Sequence, residues 1–184
     1  MNVVFFGFPT AGKGTQSKLL SQFYNIEHIS TGDIFREAMA KKMPLGLEVD
    51  AIMKSGNLVP DEITDRVVGE KLSGMKDWIL DGYPRSLNQS KLFDTFTRKN
   101  VIFPKYIYLN LLEIDVWTRS LDRREKEGRP EDATSEVIKK RIDVFKITTL
   151  PAIKYFSKKD TFYSIDASLK IEEIHNKIKH ILSL

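Results

Sequence analysis

The sequence predicts an α/β fold, a mostly parallel sheet covered by helices on both faces, and three observations carry that expectation. Four short apolar runs, at residues 2–6, 78–81, 106–109 and 162–165, are too short and too rich in β-formers for helices, and each leads through a turn or polar signal into a helical stretch. Such βαβα alternation is the mark of parallel strands joined by helical crossovers. A glycine-rich loop, residues 7–15, lies between the first run and the first helical stretch. The first strand, Asn-Val-Val-Phe-Phe, closes at Gly7, and a helix over residues 14–23 follows with Leu19, Leu20 and Phe23 on one face. The last helix is the clearest, with Ile171, Ile174, Ile178, Ile181 and Leu182 at spacings of three and four, a core-packing pattern. Two segments, 30–73 and 122–140, carry more helix than one crossover needs, and such surplus in an α/β protein commonly covers a site.

Composition bounds the function. The 184 residues suit one globular domain, and 41% hydrophobic against 29% charged residues excludes disordered and low-complexity chains. No apolar run approaches the roughly 18 residues of a membrane span, and the N-terminus lacks the features of a signal peptide, so a soluble, cytoplasmic protein is expected. The absence of Cys removes disulfides, thiol catalysis and Cys-built zinc sites. Of the three histidines only His175 and His180 are close in sequence, at a spacing unlike that of a helical metal pair, so no zinc is expected. A net charge of +4 suits an anionic partner. Basic residues alternate with acidic ones and no aromatic-basic stacking motif occurs, which argues against nucleic acid.

The loop Gly7-Phe8-Pro9-Thr10-Ala11-Gly12-Lys13-Gly14-Thr15 names the ligand class. Glycines allow close approach of the backbone, successive amides point at phosphate oxygens, the helix N-terminus adds its dipole and Lys13 adds a full charge. The strict phosphate-loop pattern has Ser or Thr directly after the Lys, whereas here Gly14 precedes Thr15. Asp81, at the end of an apolar strand, stands where such sites hold magnesium, usually through water, with Thr15 as the nearby hydroxyl. A guanine-specific switch would carry Asn-Lys-x-Asp, and the nearest string, Asn176-Lys177-Ile178-Lys179, ends in Lys within the last helix.

Together with this loop, the strings Ser30-Thr31-Gly32-Asp33 and Asp81-Gly82-Tyr83-Pro84-Arg85 and the arginines beyond them resemble the adenylate kinase family, in register from residue 1 to about 167. The resemblance implies a five-stranded parallel sheet with a helical monophosphate-binding insert and a closing lid. It also implies reversible, magnesium-dependent transfer of a phosphoryl group, ATP + AMP = 2 ADP. The implied division is a single unit over 1–184, with core 1–29, 60–121 and 133–184, insert 30–59 and lid 122–132. On the triphosphate side the resemblance implies Thr10, Ala11, Gly12, Lys13, Gly14 and Thr15, with Arg119 and Arg123. On the AMP side it implies Thr31, Arg36, Asn57, Leu58, Val59, Gly82, Tyr83, Pro84, Arg85 and Gln89, with Arg129 and Arg141 from the lid side. Lys13, Arg85, Arg123, Arg129 and Arg141 are the expected catalytic set.

Relatives that take UMP or CMP usually have Ala at the Thr31 position and Asn at the Gln89 position, so both residues point to AMP. A uridylate/cytidylate kinase of the same fold and a non-catalytic nucleotide-binding protein are the alternatives. The attacking oxygen of a monophosphate is already anionic, so no general base is needed; fixed guanidiniums carry the charge. Arg123 and Arg129 are six residues apart, which leaves room only for a short lid. Two departures stand out. Thr10 occupies a position that is usually Gly, where positive φ would strain a β-branched residue, and the run from Arg129 to Arg141 is one residue longer than usual, which bears on Asp132 and Arg141. A monomer acting on ATP, AMP and ADP, without nucleic-acid or membrane partners, is expected.

Overall fold

The computed structural model describes residues 1–127 and 134–184. Five strands, β1 (Asn2–Gly7), β2 (His28–Ser30), β3 (Trp78–Asp81), β4 (Lys105–Asn110) and β5 (Phe162–Asp166), form one sheet in the order β2-β3-β1-β4-β5, and every pairing is parallel. The helices are α1 (Lys13–Tyr24), α2 (Thr31–Ala40), α3 (Pro44–Lys54), α4 (Asp61–Leu72), α5 (Leu87–Lys99), α6 (Glu113–Glu127), α7 (Ser135–Val144), α8 (Leu150–Phe156) and α9 (Ile171–Ser183). A π-helical turn, Phe145–Thr149, joins α7 to α8.

The apolar runs read as strands because they are covered on both faces. Val3, Val4, Ile79, Leu80, Ile107 and Leu109 are all fully buried. Register stacks them: Val4 pairs with Leu80 on one side and with Tyr106 on the other. Strand β2 has only three residues, too few to show a pattern, and is held by its ladder to β3 from His28↔Ile79 to Ser30↔Asp81.

Two helix faces differ from the sequence expectation. On α1 the buried positions are Gln16, Ser17 and Leu20, while Phe23 is exposed and lies under the Lys179 ammonium, 4.9 Å from the ring centroid. Helix α1 lies over β3 and β1 with α9 alongside, and the face it turns to the sheet carries Gln16, Ser17 and Leu20. On α9, Ile174 and Ile178 enter the core but Ile171, in the first turn, stays exposed. The surplus helix at 30–73 is α2, α3 and α4. Residues 122–127 of the expected lid continue α6, and its remainder, 128–132, lies outside the described residues.

A second, smaller apolar cluster, Phe35, Val49, Val59 and Val67, holds α2, α3 and α4 together. Gly46 permits it: a Cβ there would lie 2.2 Å from the Ala38 carbonyl, so α3 can approach α2 only without a side chain at that point. Among the described residues, no helix is long and apolar enough to cross a membrane.

Phe156 is fully buried, with ring centroids 4.4 Å from Tyr106 and 5.6 Å from Phe6. Phe156→Ala should lower unfolding free energy by about 3–5 kcal/mol in chemical denaturation, as expected for an aromatic lost from a packed core.

Candidate active site

Parallel strands bring their carboxyl ends to one edge of the sheet, and the candidate site is built there. The phosphate loop leaves β1 at Gly7 and enters α1 at Lys13. Its turn is closed by the Ala11 N–H donating to the Phe8 carbonyl at 3.1 Å. Thr10 does adopt positive φ, 65°, the strained region for a β-branched residue, at a cost of roughly 1–3 kcal/mol. Its hydroxyl lies 2.5 Å from the Pro9 carbonyl oxygen and 3.4 Å from that of Val116 on α6, contacts that help hold the loop in this shape.

The Lys13 ammonium donates to the carbonyls of Gly7 and Phe8, both at 2.9 Å. Three N–H bonds are available on an ammonium, so one remains for a ligand. Burial lowers its pKa to about 8; Asp81 opposes the shift, and Arg85, Arg141 and Arg123 reinforce it. All three guanidiniums are therefore felt at the Lys13 ammonium, an arrangement that concentrates positive potential where polyanions would lie.

One cavity collects most of the residues expected on the monophosphate side. Thr31, Arg36, Asn57, Leu58, Val59, Gly82, Pro84, Arg85, Gln89 and Arg141 line it together with Lys13. Local chemistry explains the positions. Ser30 ends β2 and caps α2, its hydroxyl accepting from the Asp33 N–H, which sets Thr31 at the sheet edge. Ser86 caps α5 in the same way through the Gln89 N–H and so sets Arg85 and Gln89 on either side of a helix start. The Gly82 carbonyl accepts from Thr31 Oγ1 at 3.0 Å and from Arg85 Nε at 2.7 Å. A Cβ at Gly82, where φ is +85°, would come within 2.6 Å of both side chains, so only glycine serves both the turn and the pocket. Arg36 Nη2 donates to Asp33 Oδ1 at 2.6 Å; against the effect of burial, that bond and charge hold the Asp33 carboxyl below its ordinary value.

Tyr83 is the exception within this string. Its hydroxyl donates to Asp65 Oδ1 at 2.7 Å, its ring packs edge-on to Phe93, and it does not line the cavity. Burial and then Asp65 push its phenol far above the ordinary range. Its neighbours Gly82 and Pro84 face the cavity while Tyr83 itself turns to the core. Phe35, Met53, Thr64, Phe145 and Thr149, not expected from the sequence, also line the cavity. Phe35, Met53 and Thr64 offered only apolar or small character within the helix-rich segment 30–73, and Phe145 and Thr149 lie outside the segments predicted as helix.

Of the remaining triphosphate residues, Ala11, Gly12 and Gly14 lie in the loop or the first turn of α1, and Thr15 is exposed on that turn. Asp81 ends β3 nearly buried, and a Cβ on Gly14 would lie 3.6 Å from its Oδ2. A carboxylate beside a helix start bearing a hydroxyl is an oxygen donor set that fits magnesium, which keeps most of its waters. His28 Nε2 lies 3.9 Å from Asp81 Oδ2, and burial pushes its imidazole pKa below the ordinary value against the pull of Asp81 and Asp33.

Arg119 and Arg123 share a face of α6, as their spacing requires. Arg119 Nη2 donates to the Ala167 carbonyl just beyond β5 at 2.9 Å, which fixes the guanidinium at the sheet edge. Arg141 on α7 meets the insert: a Cβ at Gly56 would lie 3.1 Å from its Cγ. Arg129 and Asp132 lie outside the described residues.

A parallel α/β sheet with a glycine-rich phosphate loop after its central strand and an arginine-lined cavity beside it defines the P-loop kinase class. Residues 5–161 match the family model described as adenylate kinase. The chain is similar to an adenylate kinase of Oenococcus oeni, 42% identical over 99% of this chain and 97% of that one. It is also similar to adenylate kinases of Cyanothece sp., 39% identical over 98% and 94%, and of Thermosipho africanus, 35% identical over 99% of each chain. The chain belongs to the adenylate kinase family.

Because the folded Lys13 pKa is lowered while the unfolded value stays at 10.5, the unfolded chain holds a proton between about pH 8 and 10.5 that the fold has released, so this group makes stability rise with pH across that window. For ligand the sign is opposite. Triphosphate affinity should fall as pH rises through about 8, and NMR of the Lys13 side chain should show its pKa raised when triphosphate binds.

Proposed function

We propose that this cleft transfers the terminal phosphoryl group of magnesium ATP to AMP, giving two ADP reversibly, with the roles carried by the residues described above. Membership of the adenylate kinase family supports the reaction class. The observation that carries the residue roles is the convergence of Lys13, Arg85, Arg123 and Arg141 in one electrostatic neighbourhood beside the Thr31–Gln89 cavity.

In this reading Thr10, Ala11, Gly12, Gly14 and Thr15 wrap the donor phosphates, and the Lys13 ammonium exchanges its bonds to the Gly7 and Phe8 carbonyls for phosphate oxygens. Arg85 and Arg36 clamp the acceptor phosphate beside Thr31, while the 57–59 segment and Gln89 hold the base. Arg119 flanks the donor base from its anchor on Ala167. Arg123, Arg129 and Arg141 close over the transferring group, whose loose transition state spreads charge over its oxygens. A phosphate oxygen of AMP attacks the γ-phosphorus, the bond to the bridging oxygen of ADP breaks, and no side chain needs to take a proton. Asp81 with Thr15 would hold magnesium through water, and the ion would supply charge neutralisation for the phosphates.

The proposed division is an insert over 30–59 and a short lid over 122–132 on a core of 1–29, 60–121 and 133–184; the separate apolar cluster packs Phe35, Val49 and Val59 of the insert against Val67 on α4 of the core. Closure excludes water, so that ATP alone is hydrolysed slowly. The same reading has a cytoplasmic monomer acting on free nucleotides, with no nucleic-acid or membrane partner and no zinc.

Steady-state transfer from magnesium ATP to AMP, UMP, CMP, GMP and dTMP, beside an ATP-only control, tests the proposal. AMP should be strongly preferred and ATP-only hydrolysis negligible; preference for UMP or CMP would overturn the acceptor pocket, and no transfer would overturn the reaction. Lys13→Met should cut kcat roughly 10²–10³-fold while circular dichroism shows an intact fold, as for loss of one group that stabilises transition-state charge.

A further inference from the structure

Helix α4 holds the acceptor loop through two carboxylates one turn apart. Asp65 takes the Tyr83 hydroxyl, and Asp61 takes two donors: Gln89 Nε2 on Oδ1 at 2.8 Å and Ser86 Oγ on Oδ2 at 2.6 Å. The other end of the Gln89 amide is also engaged, since its Oε1 accepts from the Arg85 N–H at 2.6 Å. Gln89 is nearly buried and lines the cavity.

A primary amide has two N–H bonds and two oxygen lone pairs. One of each is used here, so one N–H and one lone pair remain. Their order in space is fixed by the partners: a carboxylate accepts and a backbone N–H donates. Rotating the amide by half a turn would set oxygen against the Asp61 carboxylate and NH2 against the Arg85 N–H, two repulsive contacts in a buried place.

We propose that Asp61 is a specificity-determining residue which, by locking the Gln89 amide in one of its two orientations, makes the pocket select 6-aminopurine over 6-oxopurine monophosphates. An adenine edge offers an amino donor beside the N1 acceptor, the complement of one amide orientation. A guanine or hypoxanthine edge offers an oxo acceptor beside an N1–H donor, the complement of the other orientation. A freely turning glutamine would serve both edges; a locked one serves one. The inference rests on the reading of this cavity as the AMP pocket.

The test compares kcat/KM for AMP with that for GMP and IMP in wild type, Asp61→Asn and Asp65→Asn. Asparagine keeps the shape of Asp61 but can present either amide end, so Asp61→Asn should lower the AMP-to-GMP ratio about ten- to a hundredfold, the discrimination carried by one bidentate base contact, and chiefly through KM of the acceptor. Asp65→Asn, on the same helix face, should lower the melting temperature and leave the ratio alone. In a Gln89→Ala background, Asp61→Asn should have no further effect on the ratio. The side-chain amide of wild-type Gln89, followed by 15N NMR, should show one orientation with a deshielded proton bonded to carboxylate, a readout that needs no variant to fold. An unchanged ratio in folded Asp61→Asn, or a Gln89 amide that turns freely in wild type, would overturn the inference. A wild type that prefers UMP or CMP would overturn the AMP reading itself, whereas one that accepts AMP and GMP equally would overturn only the lock.

Discussion

Everything in the cleft depends on the parallel run of the five strands. Parallel ladders place all carboxyl ends on one edge, so the loops after β1, β2 and β3 deliver Lys13, Thr31 and the 82–85 string to a common place although Lys13 and Arg85 are 72 positions apart. Burial on both faces keeps this edge rigid, and the helices that begin there turn their N-termini toward it. A sheet of the same residues with one antiparallel strand would send one of these loops to the opposite end.

The rigid edge is combined with groups held at a cost. Thr10 sits in a strained conformation, Lys13 is buried among other cations, α3 closes on α2 through a tight backbone approach at Gly46, and the insert meets α7 through another at Gly56. Anionic ligand relieves the second of these, since phosphate oxygens supply the negative charge that the ammonium lacks. Stored electrostatic strain of this kind is a common feature of sites that stabilise a charged transition state.

The acceptor side is organised by backbone and carboxylate rather than by the residues that would touch substrate. The Gly82 carbonyl aims both Thr31 and Arg85, Asp33 aims Arg36, and α4 aims Gln89. Such supporting contacts leave each cavity-lining group with few ways to turn.

The amino-acid sequence alone determined the fold class, the phosphate loop and about half of the cavity lining, because continuous apolar runs, glycines at a tight turn and short motif strings are local signals that tertiary packing does not overrule. The strings at 30–33 and 81–85 carried Thr31, Gly82 and Arg85 without need of coordinates. Tertiary structure decided what depends on which neighbour arrives. It turned Tyr83 to Asp65 and away from the cavity, exposed Phe23 and Ile171 against the expectation from helical spacing, added β2 from only three residues, and bonded both ends of the Gln89 amide. Direction of a side chain at a tight turn and partners across long separations are set by packing, and no local pattern encodes them.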